Sequence, residues 1–116
     1  MSTDSTANLL TLDIERTGDT ATVRCHGKLA AGVTDIFYNN IRELIPDCKH
    51  IVLDLTELTR MDSTGLGALV RLYVSARSAG CTLRLINLGR QVRELLATVN
   101  LLAAFTILAE RGIKLG

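Results

Sequence analysis

The chain has 116 residues, of which 47% are hydrophobic but only 3% aromatic, and its 13 basic and 12 acidic residues leave a formal net charge of +1. A chain of this length can bury one continuous core and has little room for a second, and that core must be built from Leu, Ile, Val and Ala rather than rings. Charges of both signs are interspersed and no aromatic platform is available, so direct nucleic-acid binding and attraction to an anionic membrane have no support.

The start, Met1-Ser2-Thr3-Asp4-Ser5-Thr6, is polar and lacks the basic-then-apolar pattern of a secretory signal. Residues 1–8 are therefore expected to form a loose arm and 9–116 a single domain. No apolar run approaches the roughly 20 residues that span a bilayer, so no membrane insertion is expected. Cys25, Cys48 and Cys81 are odd in number and far apart. That spacing suits buried reduced thiols in a cytoplasmic protein better than a disulfide framework or a C-x-x-C motif.

Leu10, Leu12 and Ile14 alternate with Thr11, Asp13 and Glu15, the period of a half-buried strand over about 9–16. Ala21, Val23 and Cys25 repeat the alternation after Thr17-Gly18-Asp19-Thr20, where Gly-Asp favours a two-residue hairpin turn. Gly27-Lys28-Leu29-Ala30-Ala31-Gly32 breaks the pattern, and Ile36, Phe37, Ile41, Leu44 and Ile45 then predict a helix over about 33–45, ended by Pro46. Ile51-Val52-Leu53-Asp54-Leu55 is a nearly continuous apolar run, as expected of a central strand covered on both faces.

Leu66, Leu69, Val70 and Tyr73 mark one face of a helix from about 63 to 79, with Arg71, Ser75 and Ser78 on the other and Gly80 at its C-terminal cap. A strand through Leu83 and Leu85 ends at Asn87, so 51–87 reads as a right-handed βαβ unit. Val92, Leu95, Leu96 and Val99 outline a third helix, and 105–108 a short last strand. The expected fold is α/β with the order ββαβαβαβ: a single mixed β-sheet opening with an antiparallel hairpin, then βαβ units, with helices packed mainly on one face.

The segment Thr59-Arg60-Met61-Asp62-Ser63-Thr64-Gly65-Leu66-Gly67 is read as the turn from the central strand into its crossover helix, where α/β sheets commonly present binding residues. Asp62, Ser63 and Thr64 are all good N-cap types, and a helix cap accounts for them without further function. Gly65 and Gly67 require more, because each weakens a helix by roughly 0.8–1 kcal/mol relative to Ala. Close packing on the fold's own sheet and close approach of another molecule are equally open explanations.

A phosphate at the helix N-terminus is a further option, as ligand or as phosphoserine. Gly65-Leu66-Gly67-Ala68-Leu69-Val70 lacks the third glycine of a dinucleotide fingerprint, and no G-x-x-x-x-G-K-[ST] loop occurs. His26 and His50 stand alone, no serine sits in G-x-S-x-G, and Asp54 with Asp62 is a thin basis for a cation site. The chain is accordingly read as a non-enzyme without cofactor or metal.

Ile51-Val52-Leu53-Asp54-Leu55 followed by Met61-Asp62-Ser63-Thr64-Gly65-Leu66-Gly67 resembles the hallmark of STAS domains, the family of bacterial anti-sigma factor antagonists. The opening hairpin, Gly80 and the Leu83-Arg84-Leu85-Ile86-Asn87-Leu88 strand fall in the family's order, so the resemblance runs from about Leu9 to Leu108. It implies partner switching: the antagonist binds an anti-sigma factor that is also a serine kinase, and so frees a sigma factor. The kinase phosphorylates the serine after the motif aspartate, here Ser63, and a PP2C-type phosphatase reverses it. Asp62, Ser63, Thr64, Gly65, Leu66, Gly67 and Lys28 would then form the partner-binding surface. The family's phosphorylated antagonists commonly carry a Gly-Glu-Leu-Asp loop near that serine, whereas this chain has Gly27-Lys28-Leu29-Ala30, which reverses the local charge. The alternatives are a constitutive, unphosphorylated STAS subunit of a scaffold or transporter, and, further off, a nucleotide-binding enzyme.

Overall fold

Thr17-Gly18-Asp19-Thr20 closes an antiparallel hairpin between β1 (Leu10–Thr17) and β2 (Thr20–Leu29), with Thr17 paired to Thr20. Gly18 has φ +63°, which glycine adopts without steric cost at the first central position of a two-residue turn. The computed structural model describes residues 10–98 and 106–108. The expected arm at 1–8, Val99, Phe105 and the tail from Glu110 lie outside the described residues.

Beyond the hairpin come α1 (Thr34–Arg42), a short 3-10 turn (Ile45–Asp47), β3 (His50–Asp54), β4 (Leu58–Met61), α2 (Ser63–Ser78), β5 (Thr82–Ile86), α3 (Arg90–Thr98) and β6 (Thr106–Leu108). The described strands form one sheet in the order β1-β2-β3-β5-β6, with β4 on β2, and every pairing except β1 with β2 is parallel. A single mixed sheet opened by a hairpin is thus the architecture, as the apolar periodicity implied.

In register, Ala21, Ile51 and Leu83 form one row across β2, β3 and β5, and Val23, Leu53 and Leu85 the next, all 5% exposed or less. Phe37 and Ile41 of α1, Leu69 and Leu72 of α2, and Val92 and Leu96 of α3 join the same core. Burying each such side chain stabilises by about 1.5–3 kcal/mol, which drives the helices onto this face. Val52 and Asp54 point to the other face and are half-buried. β3 is therefore central but sealed on one side, which corrects the expectation that its apolar run is covered on both.

Two more boundaries differ from the expectation. The first helix stops at Arg42 rather than 45, because the chain tightens into i→i−3 bonds, Leu44 N–H to Ile41 O at 2.9 Å and Asp47 N–H to Leu44 O at 3.1 Å, around Pro46. Leu58–Met61, of which 59–61 were read as part of a turn, is a short strand, so the observed order is ββαββαβαβ. β2 is ten residues long; 20–24 pair with β3 and 27–29 with β4. Within the β2–β4 pairing the register shifts after Gly27, which pairs with Leu58 while Lys28 pairs with Arg60; Gly27, at φ +103°, donates its N–H to Glu57 O at 3.1 Å. Gly27-Lys28-Leu29 thus continues the strand where a loop was expected.

α2 starts at Ser63 and ends in a Schellman arrangement as expected, with Gly80 at φ +76° and Cys81 N–H bonded to Ala76 O at 2.8 Å. Among the described residues no helix is long and apolar enough to cross a membrane.

Candidate functional site

Of the three possible cap residues at the start of α2, Asp62 is the one used. Its φ of −110° and ψ of −173° keep it extended, and Oδ1 accepts from Thr64 N–H and Gly65 N–H, both at 3.0 Å, and from Thr64 Oγ1 at 2.6 Å. Oδ2 accepts from Ala31 N–H at 3.2 Å, while the Asp62 N–H donates to Leu29 O at 3.2 Å. One side chain therefore fixes both the helix start and the chain leaving β2. Partial burial acts to raise its pKa, but the hydrogen bonds from Thr64, Gly65 and Ala31 outweigh it and hold the carboxyl below the usual carboxylate range.

Capping by Asp62 leaves Ser63 and Thr64 in different states. The Thr64 hydroxyl is committed to Asp62, whereas Ser63 is exposed and its hydroxyl makes no hydrogen bond with any described residue. The glycines differ as well. A Cβ on Gly65 would run into the Leu29 carbonyl oxygen and lie 2.8 Å from Leu29 Cγ, whereas one on Gly67 would meet nothing within 4 Å. Gly65 thus serves the fold's own packing, and Gly67 leaves open surface. Leu66, at 8% exposure, belongs to the core. Lys28 is exposed on β2, opposite Arg60 of β4.

At 3.6 residues per turn, Ser63, Gly67, Val70 and Val74 share the face of α2 that points away from Leu69, Leu72 and Ala76. Val74 is 56% exposed and Val70 half-buried. An apolar strip with a free hydroxyl at one end lies on the outside of this helix. Val70 is nevertheless packed against the core on its inner side, as its place in the spacing of Leu66, Leu69 and Tyr73 implied.

Gln91 of α3 was not foreseen at this site. Its Oε1 accepts from Met61 N–H at 2.8 Å and its Nε2 donates to Met61 O at 2.9 Å, so the amide covers the edge of β4 that β2 leaves unpaired. No local signal marks such a residue, because its partner is a backbone 30 positions away.

Asp54, considered with Asp62 as a cation site, is engaged within the fold. Its Oδ1 accepts from Thr56 N–H at 3.0 Å, Thr56 Oγ1 at 2.6 Å and Asn87 Nδ2 at 3.1 Å, and Oδ2 lies 3.7 Å from Arg24 Nε. Burial acts to raise its pKa, but these hydrogen bonds and Arg24 prevail and lower it. Among the described residues no group of three or more His, Cys, Asp or Glu is placed to hold a metal ion. His50 Nδ1 lies 2.8 Å from Thr82 Oγ1 in a strand-to-strand contact. Cys25, Cys48 and Cys81 are buried and unpaired, and burial, helped by Asp54, pushes the Cys25 thiol up to about 12, so it is not a nucleophile.

The STAS domain family model matches residues 11–112. The anti-sigma factor antagonist SpoIIAA in its unphosphorylated form superposes with a TM-score of 0.74 at 20% identity, over 87% of this chain and 90% of that one. Its phosphorylated form, described as a Bacillus cell fate determinant, gives 0.70 at 19% identity, over 87% and 94%. An anti-sigma factor antagonist from Mycobacterium paratuberculosis gives 0.75 at 18% identity, over 84% of each chain. The murine Slc26a9 anion transporter also matches, with a TM-score of 0.64 at 18% identity, over 72% of this chain but 14% of the transporter.

Proposed function

The chain belongs to the STAS domain family, and from that premise we propose that it is an anti-sigma factor antagonist that works in the cytoplasm by partner switching. It binds an anti-sigma factor with serine kinase activity, and phosphorylation of Ser63 releases it. A PP2C-type phosphatase restores the binding form. The observation that carries this reading is the contrast between neighbouring hydroxyls: Ser63 is exposed and unengaged at the first position of α2, while that of Thr64 is held by Asp62.

The chemistry follows from the local charge. A phosphate adds about −1.5 to −2 charges at pH 7. On Ser63 it would stand next to a carboxylate already fixed in place, at the end of the strip formed by Gly67, Val70 and Val74. A partner seated there would meet a hydrated dianion in place of a small hydroxyl, and docking would be lost through repulsion and desolvation. The fold should tolerate the phosphate, because the positive end of the α2 dipole offsets part of its charge and the Asp62 cap does not depend on Ser63. No large conformational change is needed. Intact-mass analysis with the matched kinase and ATP tests the modification: one phosphate is expected on the wild-type chain and none on Ser63→Ala, and an unmodified wild-type chain refutes it.

Lys28, standing where phosphorylated antagonists of the family carry an acidic residue, together with the transporter match, favours a second reading. In it the same loop docks constitutively in a scaffold or beside a transporter, and Ser63 is never modified. Protein purified from its native cells separates the two, since a Ser63 phosphopeptide is expected only for the switch.

A further inference from the structure

β2 and β4 run parallel with Lys28 directly opposite Arg60. Neighbouring strands lie about 4.8 Å apart, and like charges placed opposite each other oppose the pairing of their strands. Both side chains are exposed, and neither has a carboxylate within salt-bridge distance among the described residues. The ion pairs given by the structure, Arg16 with Asp47 and Arg24 with Asp54, lie elsewhere. Of the nearby acidic residues, Asp62 has both carboxylate oxygens committed to backbone and hydroxyl donors, and the exposed Glu57, just before β4, forms an ion pair with neither cation. The fold therefore carries an unneutralised cationic pair that its own sheet pairing disfavours.

Position connects this pair to the switch. Arg60 is three residues before Ser63, so their Cα atoms are at most about 11 Å apart, and because Lys28 and Arg60 alternate with the buried Leu29 and Met61 they project from the sheet face opposite α2, so a partner that reaches both wraps this edge. The Asp62 N–H to Leu29 O bond brings the residue after Lys28 against the same turn. The partial positive charge of the α2 N-terminus is offset by the Asp62 carboxylate that caps it, so the positive charge at this edge is that of Lys28 and Arg60.

We propose that Lys28 and Arg60 form a cationic clamp for an acidic segment of the protein partner that docks at Ser63. The inference rests on the docking role of Ser63 proposed above and adds the charge of the surface that fits beside it.

The test uses the full chain, labelled with 15N, titrated with a blocked decapeptide of Asp and Glu and separately with a Lys decapeptide. The amides of 28–31 and 59–67 should shift saturably with the acidic peptide and not with the basic one. Affinity should weaken at least about fivefold in Lys28→Glu/Arg60→Glu, and should fall as salt rises from about 50 to about 200 mM. A dispersed spectrum of the double variant establishes that it is folded, and Arg42→Glu/Arg77→Glu, the same charge change placed on α1 and α2, should bind as the wild type does. Shifts spread equally over Arg42, Arg71 and Arg77, no saturable shift at 28 and 60, or an unchanged affinity in the double variant would overturn the clamp. No kinase is present, so failure here leaves the phosphoswitch standing, and equal kinase binding by Ser63→Ala and Ser63→Asp would remove the switch without touching this result.

Discussion

Replacing either glycine of the α2 first turn by alanine makes the same change in helix propensity, but the structure gives the two substitutions opposite consequences. At Gly67 the new methyl meets nothing within 4 Å, so Gly67→Ala should stabilise by up to about 0.8–1 kcal/mol. At Gly65 the methyl would collide with the Leu29 carbonyl, which cannot swing away freely because it accepts the Asp62 N–H at 3.2 Å and lies in the strand paired with β4. Overpacking against such a backbone costs about 1–3 kcal/mol, so Gly65→Ala should be destabilising by about 0.5–2 kcal/mol after the propensity gain. Because the propensity change cancels between the variants, their difference isolates the collision. Urea unfolding followed by circular dichroism should separate the two midpoints by roughly 1 M, given a slope of about 1–3 kcal/mol per molar for a domain of this size. A Gly65→Ala protein as stable as Gly67→Ala would refute the internal packing role of Gly65.

Asp62→Ala removes the α2 cap and the tie to Ala31, and should cost about 1 kcal/mol at neutral pH. Because the folded pKa of Asp62 is depressed, its contribution is fully present above the ordinary carboxylate value of about 4 and is lost as pH falls through the folded value. The stability gap between wild type and Asp62→Ala should therefore close in acid denaturation below about pH 4, and a pH-independent gap would contradict the assignment. Gln91→Ala strips both hydrogen bonds from the buried Met61 backbone and should cost about 1–3 kcal/mol in urea unfolding. Gln91→Glu should also destabilise at neutral pH, since a carboxylate faces the Met61 carbonyl, and should recover as the added carboxyl protonates and can donate.

The parts of the molecule legible in the sequence are those where local chemistry and burial coincide. Alternation at Ala21, Val23 and Cys25 marked β2 because one face of that strand is buried, whereas in β1 only Leu10 is buried, Leu12 is half-buried and Ile14 is exposed; Gly80 marked the end of α2 because a left-handed residue is needed there. β4 escaped because its two buried residues, Leu58 and Met61, are three apart with exposed Thr59 and Arg60 between them, which breaks the two-residue period of a strand. Its existence depends on β2 being long enough to pair with two strands in succession. At the turn, residue type narrowed the cap to Asp62, Ser63 or Thr64 but could not choose, since the choice depends on Ala31 and Leu29 arriving from a distant strand. The two glycines looked equivalent for the same reason. Only the position of Leu29 distinguishes the one that packs from the one that faces solvent.

The central claim, that a partner docks around an unmodified Ser63 and is released by negative charge there, is tested most directly by binding the anti-sigma factor kinase to wild type, Ser63→Ala and Ser63→Asp in one titration series. Wild type and Ser63→Ala should bind alike and Ser63→Asp should not bind, with all three unfolding within about 0.5 kcal/mol of one another because the residue is exposed and outside the cap. Equal binding by Ser63→Ala and Ser63→Asp would contradict the account.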